Sequence, residues 1–341
     1  DNQYFMKKTK HYINLIIYAV LFNEIFNPKN RAIEKLSFGY LYITLSFLLV
    51  YAFVHPLWNG IIFNNLGSPE VDTIAMVFFI LSGYLFLRVY EDENNNDKEI
   101  LIILVVACYL TKLSYIISVI FILFLILHFK NFLKLKILPL VMLINFFWVL
   151  RNFAITGCGI FPLKFTCINF SWTINQNEME IFSNIIRSFS RDTPLRTKYW
   201  DFNYTLDTFN WLFPWFETYF LETSLLVICS IISLISISFL IVYFFYKKKI
   251  LLNRSFFLFL IICSLSICLW FQAPEVRFGF GYLISFATLL LSGFYFIFFS
   301  KFSFIGKYML NSSIIILILS NVYKNLDNVK KINLDINHKF N

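Results

Sequence analysis

The sequence predicts an all-α fold: a polytopic transmembrane helical bundle of about ten spans, with one sizeable extracytoplasmic loop. Two observations predict it. Of 341 residues, 59% are hydrophobic and only 14% are charged, whereas a soluble globular domain is about 45–50% apolar and about 25% charged. The apolar residues also fall in blocks long enough to cross a bilayer, which takes roughly 20 residues. A mean hydropathy of +0.69 excludes a soluble enzyme with one buried core. A disordered chain, a collagen and a small disulfide scaffold are excluded with it. The 44 Phe carry no functional weight, because an AT-rich coding sequence favours Phe, Ile, Lys and Asn alike.

By that length, spans are expected at 12–27, 37–54, 71–90, 99–112 and 113–128, then at 135–150, 222–246, 255–272, 279–299 and 308–323. The first is the weakest, because Asn14, Asn23 and Glu24 interrupt it. The stretch 99–128 is too long for one span. Thr111-Lys112-Leu113-Ser114 interrupts it, and a charge at membrane depth is costly, so Lys112 marks a turn between two short helices. The spans divide the chain into an N-terminal helical module (1–150), a loop (151–221), C-terminal helices (222–323) and a tail (324–341).

A formal charge of +9 raises the question of nucleic acid, but the cations are in the wrong places for it. Lys247, Lys248 and Lys249 follow one apolar run; Lys130, Lys134 and Lys136, and also Lys29, Arg31 and Lys35, lie between others. Small basic clusters in short loops obey the positive-inside rule, and no basic stripe suited to nucleic acid is visible. Placing 28–36, 91–98, 129–134, 247–254 and 300–307 in the cytoplasm makes each of them except 91–98 basic. The acidic residues of 91–98 weigh little in that rule. Alternation then puts 1–11, 55–70, 151–221, 273–278 and 324–341 outside, with both termini. Two outer termini and Asp at position 1 set up the expectation of a further transmembrane helix upstream.

Within the long loop, Ile181, Phe182, Ile185, Ile186 and Phe189 recur at helical spacing. Glu178 and Glu180 precede that stripe and Arg187 and Arg191 end it, as a helix dipole favours. An interfacial helix on the outer membrane face is expected. Trp200, Trp211, Trp215, Tyr219 and Phe220 then lead back to the bilayer as an aromatic belt. If the loop is outside, Cys158 and Cys167 face an oxidising compartment where a disulfide persists and braces the loop. The other cysteines, Cys108, Cys229, Cys263 and Cys268, lie in apolar runs and behave as small hydrophobes. A metal site would need more ligands, and the chain has only 4 His.

Charges at the expected outer boundary are few. Lys112, Arg151 and Arg277 stand there at similar depth. Arg grips phosphate with a bidentate fork and Lys acts as a point charge, so the set suits a lipid-linked phosphate; snorkelling to headgroups is the competing structural explanation. The carboxylates are Asp1, Glu70, Asp72 and Glu275. A carboxylate here can take a proton from an acceptor hydroxyl. Against that, Glu70 and Asp72 fit the charge preference of a helix start, and Glu275 is placed to pair with Arg277. Gly279 and Gly281 suit close helix packing. No Walker loop, dinucleotide glycine fingerprint or His-Glu-x-x-His motif is present, so a transferase of this kind would draw its substrates from the membrane.

Four motifs carry a resemblance: Ser68-Pro69-Glu70, Thr111-Lys112-Leu113-Ser114, Trp148-Val149-Leu150-Arg151-Asn152 continuing through Thr156-Gly157-Cys158 and Phe161-Pro162, and Ala273-Pro274-Glu275-Val276-Arg277-Phe278-Gly279-Phe280-Gly281. Together they resemble a family of bacterial multi-spanning proteins associated with surface polysaccharide synthesis, similar to a branch of the GT-C glycosyltransferases. The resemblance implies location in the bacterial cytoplasmic membrane, a polyprenyl-phosphate sugar as donor, an acceptor on the outer face and a polysaccharide assembly complex as setting. It implies a catalytic Asp in the first outer loop, for which Asp1, followed by Tyr4, is the best match. It also implies that Lys112, Arg151 and Arg277 hold the lipid phosphate. Many members of the group carry Asp after the Ser-Pro, where this chain has Glu70. No cofactor is implied; a divalent metal is compatible with such enzymes, but no residue pattern specifies one. The alternatives are another handler of lipid-linked glycans (polymerase, ligase or flippase) and a non-catalytic scaffold. No internal repeat of the kind transporters use is visible.

Overall fold

The computed structural model describes residues 36–54, 71–92, 94–129, 132–191, 202–220, 224–247 and 253–299. Among these the architecture is all-helical, and the sole extended pairing is an isolated bridge between Cys158 and Cys167. The main helices are α1 (Leu36–Val54), α2 (Val71–Asp92), α3 (Asn95–Thr111), α4 (Val119–His128) and α5 (Leu138–Thr156). They continue as α6 (Gln176–Arg191), α7 (Ser224–Lys247), α8 (Arg254–Trp270) and α9 (Val276–Phe299). The expected spans 12–27 and 308–323, like Asp1 and Glu70, lie outside the described residues.

Two compact units emerge, Val71–Leu290 and a second containing α1 and the end of α9. In the second, Tyr40 and Leu41 of α1 are buried, and Thr44 Oγ1 donates to the Tyr40 carbonyl at 2.7 Å.

In the larger unit α2 and α3 form a tight antiparallel pair, joined by a turn far shorter than the loop expected at 91–98. Asn94 explains the early start of α3, because its side chain accepts from the Asn96 N–H and caps the helix. Asp97 and Lys98 are thereby buried in the first turn. Arg88 pairs with Asp97 at 3.0 Å, and Lys98 lies 3.9 Å over the Phe129 ring. At the other end α3 stops at Thr111, Lys112 turns extended, and a 3₁₀ segment Leu113–Ser118 leads into α4. The break expected at Lys112 is there.

The core of this unit is aromatic. Phe79 of α2 makes ring contacts with Tyr115, Phe121, Phe259 and Tyr282 at 5.5–6.4 Å, and Phe86 adds Phe121 at 5.0 Å. Each such pair contributes about 0.5–1.5 kcal/mol beyond its buried area. Glycines let these rings in: a side chain at Gly83 would collide with Phe259, and one at Gly281 would collide with Tyr115.

Three described helices are long and apolar enough to cross a membrane: Ile74–Asp92, Leu138–Thr156 and Val276–Ile297. Leu113–His128, Leu226–Ile241 and Arg254–Trp270 are shorter apolar helices. Several boundaries differ from the sequence expectation, two of them where site residues lie. The helix expected at 135–150 runs on to Thr156 until Gly157, with φ +74°, ends it, since glycine adopts that left-handed backbone without strain. The helix expected from 279 starts at Val276. Arg151 and Arg277 are therefore helical residues and not loop residues.

Candidate functional site

Three segments of the larger unit meet at one place. Asp72 lies in the first turn of α2, Lys112 is the residue at which α3 ends, and Glu275 and Arg277 flank the start of α9. Lys112 Nζ donates to Asp72 Oδ1 in an ion pair and sits 4.2 Å over the Phe278 ring. Arg277 Nε donates to Glu275 Oε1 at 3.1 Å. Lys112 also feels the charges of Arg277 and Glu275, so the two pairs form one cluster. The carboxylates are the deeper members: Asp72 and Glu275 are buried, whereas the Arg277 side chain keeps 31% of its surface exposed.

Backbone and aromatic groups fix the cluster in place. Trp270 Nε1 donates to the Glu275 carbonyl at 2.7 Å, holding the turn between α8 and α9. Tyr115, one turn beyond Lys112, accepts from the Gly281 N–H at 3.0 Å, tying the 3₁₀ segment to α9. Sequence reasoning missed Tyr115, Trp270 and Phe278. Their only signal is proximity in sequence to Lys112 and to the Pro274–Gly281 motif, and nothing distinguishes these aromatics from the many others.

Of the expected site residues, the fold brings together Asp72, Lys112, Glu275 and Arg277. It does not bring in Arg151, which is exposed near the end of α5 and makes no ion pair among the described residues. Each clustered cation already has a carboxylate: Glu275 makes the pair with Arg277 expected of it, and Asp72, at a helix start as expected, also pairs with Lys112. A phosphate entering here would compete with those carboxylates for Lys112 and Arg277.

The loop beyond α5 is a second ordered region. Cys158 and Cys167 are joined in a disulfide, with Met179 Sδ of α6 3.8 Å from both sulfurs. Thr166 bonds to Ile160 N–H at 3.1 Å and to the Leu163 carbonyl at 2.8 Å, closing the loop on itself. Lys164 donates to Glu180 Oε2 at 2.6 Å and holds that carboxyl below the usual carboxylate range. Arg191, at the end of α6, donates to the Thr205 carbonyl at 2.8 Å and lies 4.8 Å over Trp211; burial lowers its pKa, yet a guanidinium stays charged.

An apolar cavity of about 830 Å³ opens between the segment 209–216, α7, α8 and α9. Trp270 is shared, since its ring lines the cavity while its N–H holds Glu275. No group of three His, Cys, Asp or Glu side chains that could hold a metal occurs among the described residues.

A family described as a domain of unknown function, DUF8201, matches residues 2–284, and the chain belongs to it. No curated protein and no solved structure matches the chain.

Proposed function

We propose that this member of the DUF8201 family is a polytopic protein of the bacterial cytoplasmic membrane, of about ten spans and GT-C-like, that transfers a sugar from a polyprenyl-phosphate carrier to a cell-surface glycan or lipid on the outer face. The observation that carries the reading is the convergence of Asp72, Lys112, Glu275 and Arg277 from three distant segments. A lipid-linked sugar phosphate is amphiphilic, and its charged end calls for a few convergent polar groups of this kind. In the reaction, an acceptor hydroxyl oxygen attacks the anomeric carbon, and the bond from that carbon to the phosphate oxygen breaks. The hydroxyl proton passes to Asp1 or Glu70, and the carrier leaves as polyprenyl phosphate. Lys112 and Arg277 stabilise the charge growing on that phosphate, exchanging their carboxylate partners for it. Arg151, apart from the cluster, holds headgroups at the rim.

The same pairing favours a second reading. Two cations fully matched by two carboxylates are also what a non-catalytic scaffold uses to lock three helix ends, and other handlers of lipid-linked glycans share the amphiphilic demand. Sugar transfer separates these readings. Membranes carrying wild type, Asp1→Asn, Glu70→Gln or Arg277→Ala are supplied with radiolabelled polyprenyl-phosphate sugars. The transferase reading expects Arg277→Ala and one of the two carboxylate variants to lose about a hundredfold in rate. Transfer unchanged in all three would remove the site assignment, and none in wild type would leave the scaffold or a handler of lipid-linked glycans that transfers no sugar.

A further inference from the structure

The apolar cavity and the end of α6 have chemistry that sugar transfer does not use. The cavity's roof is a cluster of rings. Trp215, Trp270 and Phe271 line the cavity, with Trp215 touching Trp270 at 6.2 Å, and Trp211 backs these rings from outside the lining, 6.4 Å from Trp215 and 5.9 Å from Phe271. Its walls are aliphatic and aromatic, including Leu226, Ile237 and Leu283. Of its polar members, Ser233 already donates to the Cys229 carbonyl at 2.6 Å. A lining so largely apolar suits a hydrocarbon. Its volume lies within the range of about 300–1,000 Å³ typical of small-molecule sites, a size suited to one acyl chain.

A cation stands on that roof. Arg191 lies over Trp211, its Nη1 is committed to the Thr205 carbonyl, and its Nε is buried without a hydrogen-bond partner. Arg187, exposed one turn earlier, is close enough to feel Arg191, as residues four apart on a helix are. Neither has a carboxylate partner among the described residues, unlike Lys112 and Arg277. Ile181 and Phe182 leave about half their surface exposed on the same helix, which suits a helix lying at headgroup depth.

We infer that this cavity is a binding site for an anionic phospholipid, with one acyl chain under the Trp215–Trp270 roof and the phosphate held by Arg191 and Arg187 beyond Trp211. Hydrocarbon below and two cations without carboxylates above complement an anionic amphiphile. A free phosphate would leave the cavity unfilled. The cavity is only partly enclosed, as a two-chain lipid needs if its second chain stays in the bilayer. Because Trp270 lines the cavity and also holds the Glu275 carbonyl, lipid occupancy bears on the turn that carries Arg277. The site rests on the membrane reading above and not on sugar transfer.

Native mass spectrometry of the detergent-purified full chain tests it, with phosphatidylglycerol, phosphatidylcholine and a polyprenyl phosphate as probes. The expected result is a loss of about tenfold or more in phosphatidylglycerol affinity for Arg187→Ala/Arg191→Ala. The Lys/Lys variant should recover most of it, Ser233→Phe should lose it by filling the cavity, and phosphatidylcholine should bind more weakly than phosphatidylglycerol to wild type. Gel filtration and helical circular dichroism matching wild type qualify each variant for the comparison. Equal phosphatidylglycerol affinity across wild type and variants would reduce the cavity to a place for ordinary annular lipid and sink the proposal. So would displacement of phosphatidylglycerol by equimolar polyprenyl phosphate, which would make the occupant the carrier. Recovery of the chain without detergent would instead sink the membrane reading.

Discussion

Helices α2 and α5 are similarly apolar and each is long enough to cross a bilayer, yet 56% of one span is buried and only 6% of the other. The difference lies in the small residues. Helix α2 carries Ala75, Ser82 and Gly83, with Ser82 spending its hydroxyl on the Phe78 carbonyl at 2.7 Å. Phe259 closes onto the space that a Gly83 side chain would fill. Small residues let apolar helices approach, because lipid removes any hydrophobic drive between them and leaves close packing to hold them. Helix α5 has no buried residue. Met142 and Phe146 stand 66% and 60% exposed, and its ties to α3 are Asn145 bonded to Tyr109 and Trp148 against the Tyr109 ring. Among the described residues, the helix of large side chains with few small ones keeps its sides open, and the helix punctuated by Ala, Ser and Gly packs against its neighbours.

The largest expected effect breaks the packed side of this contrast at its charged end. Lys112→Met leaves the Asp72 carboxylate buried without its cation and should cost about 3–5 kcal/mol of unfolding free energy in micelles. Lys112→Met/Asp72→Leu should regain most of that, since removing both charges removes the desolvation cost. A single-variant loss under about 1 kcal/mol would class the pair with surface pairs. Next in size comes Gly83→Val. Phe259 is fully buried and held by Phe79 and Phe121, so it has nowhere to swing, and overpacking should cost about 1–3 kcal/mol. The matching change on the other helix, Leu143→Ala at a half-exposed position, should stay within about 0.5 kcal/mol. Equal losses at the two positions would mean that α5 is packed against something absent from this unit.

That contrast also marks what was legible beforehand. Helix positions followed from apolar run length, and the break at Lys112 from the cost of a charge at depth. Asn94 moved the start of α3 four residues earlier than hydropathy allowed, because a cap and the Arg88–Asp97 pair make Asp97 and Lys98 tolerable inside. Run length also ended α5 at Leu150, since Arg151 and Asn152 are polar, although only Gly157 has the backbone to stop it. Within the candidate site the charged residues stood out through scarcity, and Asp72 with Lys112 could be named but not paired. Pairing across forty residues is a property of three helix ends meeting, which no local pattern encodes. The cavity was invisible for the same reason: its walls come from four segments whose residues are ordinary apolar ones.

The smallest expected effect sharpens the comparison at the exposed end, beyond α5. Lys164 and Glu180 make an ion pair at 2.6 Å, but both side chains are about half exposed, at 47% and 58%. Water screens such a pair, so its contribution to stability is small. Its signature is in pH. Glu180 titrates below the usual carboxylate range in the folded chain because Lys164 donates to it, and it returns to about 4.3 when unfolded. A carboxylate depressed on folding contributes stability above the unfolded value and loses it as pH falls through the folded one. The melting temperature of wild type should therefore exceed that of Glu180→Gln slightly at neutral pH, with the gap closing below about pH 5. Asp72 sits in the opposite setting, so Asp72→Asn should lower the melting temperature far more than Glu180→Gln at neutral pH. A Glu180→Gln effect as large as the Asp72→Asn effect would show that the disulfide-closed loop is held against α6 by charge. A gap that vanishes on acidification would leave Met179 against the two sulfurs and Phe161 against Phe182, 5.7 Å apart, as the contacts that seat it.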